Sequence, residues 1–426
     1  MKEKITQIKN KLFETGFYHV FGSSVINKIL SFLCSILVVR IVDKTDFGIY
    51  SYANNILSFF LVFTGLGMVS GLLQLCSEEH EEPSIRTKLF CYGCRIGSGF
   101  NLLIGFVILA VSLLIPLPIE GANRYLSYLA FYPVVLIINE LQLCNFRYRL
   151  ENQSFSYANT IWTALIVAGS ILGALVFNIE GLIIGLYTAG VLSFLISKYI
   201  LKGEFGLKRA SISQEIKKVL YKISIISMLN NGLSELHYLI DIFLIGILIT
   251  NPEIVASYKV ATVIPVALNF IPIAFITYVY PYFARNKDNI KWTKKYYHIL
   301  FITVFFVSLL IAIVAIAFAP QIIGLIFGKR YLDAVLCFRI LCVSFVFASA
   351  LKIVHGNLLV TQRKLTFNLI VSCASVVLNV AGNYILIGRY GAAGAAATTC
   401  MISVLTGLAA TIYYNYVLKQ IEKRES

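Results

Sequence analysis

Long apolar stretches dominate the chain and alternate with short polar segments. Most of them are about as long as the roughly 20 residues that a helix needs to cross the hydrocarbon core of a bilayer. Their polar boundaries predict twelve transmembrane helices, at residues 17–39, 47–75, 89–115, 125–146, 155–178, 181–197, 223–249, 255–283, 297–319, 334–360, 365–387 and 391–418. We therefore predict an all-α integral membrane protein.

The composition and charge agree with this prediction. Of the 426 residues, 58% are hydrophobic and 13% charged, whereas soluble domains average about 45–50% and 25%. The net charge of +15 does not indicate a nucleic-acid partner, because lysine and arginine are the usual signal of cytoplasmic loops. With a cytoplasmic N-terminus, the cytoplasmic segments hold 25 Lys and Arg and the outer segments 6. Both termini are therefore predicted to be cytoplasmic.

A weak internal repeat divides the chain into two halves. Tyr50 and Tyr258 follow the first and seventh predicted spans at an offset of 208, and Gly181 and Gly394 match at 213. Two homologous six-helix bundles in the same orientation are the plan of some transporters, with a site at the interface of the repeats. We predict bundles at residues 1–197 and 223–418 around a central cavity, a cytoplasmic linker at 198–222 and a cytoplasmic tail at 419–426.

Ionisable residues inside the spans are candidates for function, because a charge at a helix centre costs about 2.5–3.5 kcal/mol on insertion scales. Lys28 lies in the first span within a polar stripe at helical spacing. The expected polar lining of the cavity comes from several spans and comprises Ser24, Ser31, Asn54, Asn230, Asn231, Ser234, Tyr238 and Asn379. For the serines and asparagines, hydrogen bonding between helices is the alternative role.

The seventh predicted span is the most polar. Asn230, Ser234, His237 and Asp241 share one stripe, and Glu235 lies beside it. Glu235, Asp241 and His237 are candidates for binding a coupling proton or Na⁺, or for balancing basic charge in an empty cavity.

Three further ionisable residues extend the set of cationic candidates. Lys352 and His355 are three apart on the tenth span and would reach one cavity or the lipid headgroups, since long basic side chains snorkel. Arg95 lies at a depth similar to that of Glu140, which favours an ion pair, with a substrate contact as its other possible role. Lys259 and Arg339 lie near the outer ends of their spans, where snorkelling is expected.

Other patterns limit the chemistry. Pro265 and Pro272 in the eighth span are hinge candidates, because proline kinks a helix; a static kink is the alternative. The sequence contains no phosphate-binding loop and no metal-ligand spacing, so neither a cofactor nor a metal is predicted. Short outer loops also disfavour a membrane glycan polymerase or transferase.

Four segments resemble one family, the Wzx-type polysaccharide flippases of the multidrug/oligosaccharidyl-lipid/polysaccharide exporter superfamily. They are D-K-T-D-F-G-I-Y at residues 43–50, D-I-F-L-I-G-I-L from Asp241 with A-S-Y-K-V-A after it, I-I-G-L-I-F-G-K-R-Y-L-D-A at 322–334, and L-N-V-A-G-N-Y-I-L-I-G-R-Y-G-A-A-G-A-A-A-T at 378–398.

This resemblance implies a transporter rather than an enzyme, working by alternating access in a bacterial inner membrane. Its implied substrate is an undecaprenyl-pyrophosphate-linked oligosaccharide, moved to the outer leaflet for O-antigen or capsule biosynthesis, with a polysaccharide polymerase and a chain-length regulator as partners. A cationic cavity would bind the pyrophosphate, with Lys28 in the family's basic position on the first span and Lys352, Arg95 and His355 as further candidates. The competing interpretation is a multidrug or organic-cation antiporter of the same superfamily, for which a net acidic cavity is expected.

Overall fold

The computed structural model describes residues 17–78, 83–207, 211–286 and 289–425, and all of the regular structure in these ranges is helical. Ten helical segments of the described part are long and apolar enough to cross a membrane, and a shorter apolar helix covers Leu239–Ile249. The chain is thus an all-α, multi-pass membrane protein. The count of twelve spans stays a prediction.

The chain divides into two compact units, Met1–Gly232 and Leu233–Ser426. In the described residues, the first unit contains seven helices and the beginning of an eighth. They are α1 (Phe17–Ile41), α2 (Lys44–Leu61), α3 (Met68–Ser77), α4 (Pro83–Leu114), α5 (Ala122–Leu129), α6 (Tyr132–Tyr148), α7 (Asn152–Tyr199) and α8 (Gln214–Ile249).

The second unit contains the end of α8 and the remaining helices. These are α9 (Pro252–Leu268), α10 (Phe270–Arg285), α11 (Ile290–Ala317), α12 (Ala319–Ile326), α13 (Val335–Phe347), α14 (Val354–Thr361), α15 (Leu365–Tyr390) and α16 (Ala392–Glu425). A 3-10 turn, Lys329–Ala334, precedes α13, and a π-helical turn, Ala348–Ile353, joins α13 to α14.

The second predicted span is broken in its middle. Between α2 and α3 lies the 3-10 turn Thr64–Gly67, in which Gly65, Leu66 and Gly67 have positive φ values of 55°, 51° and 70°. The side chain of Asn101 on α4 stabilises this break by accepting a hydrogen bond from the Gly65 amide at 2.6 Å. Its own amide donates to the Pro133 carbonyl at 2.6 Å. Unpaired backbone groups are costly inside a membrane, so Asn101 explains how the break is tolerated.

The fifth and sixth predicted spans form one 48-residue helix, α7, that reverses at Phe177 and Asn178. Glycines let the two segments pack backbone to backbone. A Cβ atom on Gly173 would lie 2.0 Å from the Gly181 carbonyl oxygen, and one on Gly185 would lie 2.0 Å from the Gly169 oxygen. Small residues spaced four apart allow this close approach between membrane helices.

The predicted linker and tail are more helical than their polarity suggests. Helix α8 begins at Gln214, inside the predicted linker, because Ile216 and Leu220 pack into the core of the first unit. Helix α16 continues through the predicted tail to Glu425, and Glu422 forms an ion pair with Lys294 at 2.7 Å. The division into units falls at Gly232, within α8.

The eighth predicted span is also two helices. Helix α9 contains Pro265 and ends at Leu268, and α10 begins at Phe270 and contains Pro272 in its first turn. Proline cannot donate a backbone hydrogen bond, which accounts for a break between the two positions. Whether they act as a hinge stays a prediction.

Candidate functional site

A carboxylate buried inside the second unit is the most elaborate polar site in the described part of the chain. Asp241 on α8 is only 4% exposed. Its Oδ2 accepts hydrogen bonds from Tyr258 Oη at 2.6 Å and Thr399 Oγ1 at 2.5 Å. Its Oδ1 accepts from Asn383 Nδ2 at 2.7 Å and Asn379 Nδ2 at 3.2 Å.

Four helices bring these groups together. Asn379 and Asn383 are one turn apart on α15 and therefore share a face. Tyr258 comes from α9 and Thr399 from α16, so each flanking helix supplies one hydroxyl. The Asn383 amide also donates to Asn379 Oδ1 at 3.1 Å, which ties the two asparagines into one network.

The network is electrically unbalanced. Every group that donates to Asp241 is neutral, and no ion pair to Asp241 is found among the described residues. A buried charge without a partner is costly, so the site favours a cation, either a proton on the carboxylate or a small metal ion. Asn383 Oδ1 is buried and has no hydrogen-bond partner in the described part. It is therefore a further oxygen that could bind a cation beside Asp241.

The basic candidates of the first unit lie on accessible surfaces. Lys28 on α1 and Arg95 on α4 are exposed. The expected ion pair between Arg95 and Glu140 is wrong for this structure, because neither residue takes part in the ion pairs found among the described residues. Similar depth in the membrane is therefore not enough to bring two side chains into contact.

The basic candidates of the second unit differ from one another. Lys352 lies half-buried on the π-helical turn. His355 is fully buried in the core, where Nε2 contacts Tyr297 Oη at 2.9 Å. Its Nδ1 contacts the Leu351 carbonyl at 2.8 Å and Thr411 Oγ1 at 3.2 Å. In this structure, therefore, the His355 ring does not reach an accessible surface, whereas Lys352 is half-buried.

The predicted polar lining divides between the units. Ser24 and Ser31 on α1 are exposed, and Ser24 Oγ donates to the Val20 carbonyl at 2.7 Å. Asn54 on α2 is half-buried and Asn231 on α8 is exposed. Asn379 belongs to the Asp241 network. The remaining predicted side chains on α8 lie outside the described part; these are Asn230, Ser234, Glu235, His237 and Tyr238.

The sequence did not indicate a site role for Tyr258, Thr399 or Asn101. Tyr258 lies in the A-S-Y-K-V-A segment and Thr399 directly follows the last quoted segment, but neither has a polar periodicity of its own. Asn101 is an isolated polar residue in an apolar helix. Only the tertiary structure shows that each of the three has a specific partner.

Comparison with known proteins places the chain in a family. A family model described as "Polysaccharide biosynthesis protein" matches residues 10–336. The chain belongs to this polysaccharide biosynthesis family. A protein of Shigella flexneri described as an O-antigen transporter is 22% identical over 232 residues. That match covers 54% of this chain and 55% of the relative, so it spans about half the length of each.

Solved structures share the fold of this family member. A multidrug resistance MATE family transporter of the MOP superfamily, in an inward-facing conformation, has a TM-score of 0.76 and 13% identity, with 94% of this chain and 96% of that chain covered. The lipid II flippase MurJ has a TM-score of 0.77 and 12% identity, with 92% and 87% covered. At these identities the likeness shows a common fold.

Proposed function

We propose that this protein is a flippase that moves an undecaprenyl-pyrophosphate-linked oligosaccharide from the inner to the outer leaflet of a bacterial inner membrane. The family match, the name of the Shigella relative and a fold shared with a lipid flippase support this proposal. Polysaccharide polymerase and chain-length regulator proteins are the natural partners, since they would use the glycan at the outer face.

The proposed substrate imposes a physical requirement that the basic residues can meet. A diphosphate is strongly hydrated, so its passage across about 30 Å of hydrocarbon requires replacement partners for lost water. Lysine and arginine form strong, charge-assisted hydrogen bonds with phosphate oxygens. We assign this role first to Lys28 and then to Lys352 and Arg95. His355 is retained only for a conformation in which its ring becomes accessible.

The observation that carries the coupling part of the proposal is the Asp241 network. Four neutral donors surround a buried carboxylate that has no basic partner among the described residues. Intramembrane acids in such surroundings are typical of ion-coupled transport. We propose that Asp241 alternates between a cation-loaded and an empty state, and that this exchange drives the return of the transporter. The cation is a proton or Na⁺.

Complementation of a strain that lacks its own flippase tests both assignments. Surface glycan and the lipid-linked precursor are measured, and membrane abundance is used to normalise. A hydrogen bond to a charged group contributes about 1.5–3 kcal/mol. Because every 1.4 kcal/mol corresponds to a factor of ten, Lys28→Ala should lower the flipping rate about 10- to 100-fold. Lys28→Arg, which keeps the charge, should retain most activity. Asp241→Asn should abolish flipping.

The matched control is Arg40→Ala, which removes a basic residue from the outer end of the same helix α1. It should change flipping less than twofold. Full activity of Lys28→Ala would exclude the phosphate role, and full activity of Asp241→Asn would exclude the coupling role. Restored glycan without any fall in the lipid-linked precursor would contradict a flippase altogether.

A further inference from the structure

The four residues Asp241, Tyr258, Asn383 and Thr399 each lie near an end of their own helix, and these ends are on the same side of the membrane in the predicted topology. Asp241 is eight residues from the end of α8, and Tyr258 is six residues from the start of α9. Asn383 and Thr399 are each seven residues from the turn that joins α15 to α16. At 1.5 Å per residue, the carboxylate therefore lies about 9–12 Å below these helix ends. In the orientation that the lysines and arginines predict, these are the outer ends.

A second acid lies at this outer end. Asp333 is exposed in the 3-10 turn Lys329–Ala334, and its Oδ2 accepts a hydrogen bond from Ser257 Oγ at 2.7 Å. Ser257 is itself 5% exposed and directly precedes Tyr258 on α9. Two consecutive residues of one helix thus contact two carboxylates, one at the surface and one in the buried network.

The thiol of Cys337 lies close to both contacts. Cys337 belongs to the first turn of α13, is 6% exposed, and lies within electrostatic range of Asp333 and of Tyr258. Ser257, Tyr258 and Cys337 therefore place a hydroxyl, a phenol and a thiol near the surface carboxylate and the buried network, each able to exchange hydrogen bonds.

The turn that contains Asp333 also contains two basic residues. Lys329 and Arg330 precede it in the same turn and are both exposed, so they would repel an approaching cation. Asp333 is the acidic group of that turn, and it is the one that contacts α9. A carboxylate raises the cation concentration in its immediate surroundings, so within this turn Asp333 is the group that attracts a cation.

We propose that Asp333 and Ser257 form an outer entry site through which the coupling cation, a proton or Na⁺, reaches Asp241. The inference rests on the proposed coupling role of Asp241 and adds a route and a side of entry. The cation is attracted by Asp333, passes Ser257 and Cys337, and reaches the carboxylate beside Tyr258. Loading from the outer face fits export, because the cation enters as the glycan leaves.

Cation uptake into right-side-out membrane vesicles containing the full chain tests this route. One arm adds ²²Na⁺ outside at constant pH, and the other applies an acid pulse without Na⁺ and follows trapped pyranine. Uptake by vesicles without the protein is subtracted. The arm in which the unsubstituted protein responds identifies the ion. Asp333→Asn should slow initial uptake about tenfold or more, and Ser257→Ala should slow it several-fold without changing any charge.

Everted vesicles and matched variants supply the controls. Uptake from the cytoplasmic side should change less than twofold in Asp333→Asn. Asp333→Glu, which keeps the carboxylate, should remain close to the unsubstituted protein. Glu253→Gln removes another exposed acid from the first turn of α9 and should also have little effect.

The outcomes separate the two proposals. If Asp241→Asn abolishes uptake while Asp333→Asn and Ser257→Ala have none of their expected effects, the entry site is wrong and the coupling role stands. If Asp241→Asn leaves uptake unchanged, or the unsubstituted protein responds in neither arm, the coupling role itself fails. If Glu253→Gln slows uptake as much as Asp333→Asn, general surface charge is responsible and the entry site is overturned.

Discussion

The Tyr297–His355 hydrogen bond offers a direct test of whether His355 acts in structure or in substrate binding. His355 is fully buried, and its ring lies edge to face against Tyr297 and Tyr414, with centroids 5.4 and 5.9 Å away. The Leu351 carbonyl can only accept, so Nδ1 carries the proton and Nε2 accepts from the Tyr297 hydroxyl. Tyr297→Phe removes this one donor and leaves Nε2 buried without a partner.

The expected cost follows from that geometry. An unsatisfied buried polar atom costs about 1–3 kcal/mol. For a domain of 150–250 residues, 1 kcal/mol lowers Tm by about 2–4 °C, so Tyr297→Phe should lower it by about 2–12 °C. His355→Ala should cost more, because it also leaves a cavity and removes the ring that packs against Tyr297 and Tyr414. The assay is thermal unfolding of the purified protein in detergent, together with flipping per molecule in the complemented strain.

A neighbouring tyrosine serves as the control. Tyr296 is adjacent in sequence and 41% exposed, so Tyr296→Phe should change Tm by about 1 °C or less. A structural role predicts that both core variants lose stability and that flipping falls only as abundance falls. If His355→Ala melts like the unsubstituted protein yet loses flipping, the structural reasoning is refuted and the imidazole contacts substrate.

Two further predictions concern backbone packing in the first unit. Gly185→Ala should lower Tm by about 2–12 °C, because its Cβ would lie 2.0 Å from the Gly169 oxygen and overpacking costs about 1–3 kcal/mol. Gly99→Ala, in a helix with no atom within 4 Å of the new Cβ, should be neutral or slightly stabilising. If both variants lower Tm equally, the two segments of α7 are not close-packed at Gly185. Asn101→Ala should expose the Gly65 amide to faster hydrogen exchange, since the break loses its acceptor, and unchanged exchange would contradict the assignment.

Hydropathy predicted the membrane class because transfer energy acts residue by residue along the chain. The same property hid the broken helix, since T-G-L-G is apolar enough to continue a span. Its signal was conformational: two glycines two residues apart permit positive φ values that a helix does not use. The Asn101 partner lies 36 residues from Gly65 and could not be assigned from local pattern.

The tight reversal between the fifth and sixth predicted spans also could not be predicted from hydropathy. Polar residues between apolar runs predict an aqueous loop, and Asn178 with Glu180 gave such a boundary. The structure reverses the chain over two non-helical residues instead. Asn178 occupies the positive φ region and donates to Asp46 Oδ2 at 2.8 Å, so its polarity serves the reversal itself. Polarity alone does not distinguish a loop from a tight corner.

The partners of the polar stripes could not be predicted from the sequence. Periodicity shows which residues share a helix face, but not what that face contacts. Asn379 and Asn383 lie four apart on α15 and so share a face, yet their common partner Asp241 lies 138 and 142 residues away. The polar faces of α8 and α15 meet at Asp241. Because this residue is only 4% exposed, its hydrogen-bond donors come from neighbouring helices. Three helices besides its own must then be held in register around it. A cation that binds or leaves Asp241 would alter its four hydrogen bonds, and with them the contacts to all three helices, at once. In an ion pair the two charges already cancel, so a cation would have no such effect there.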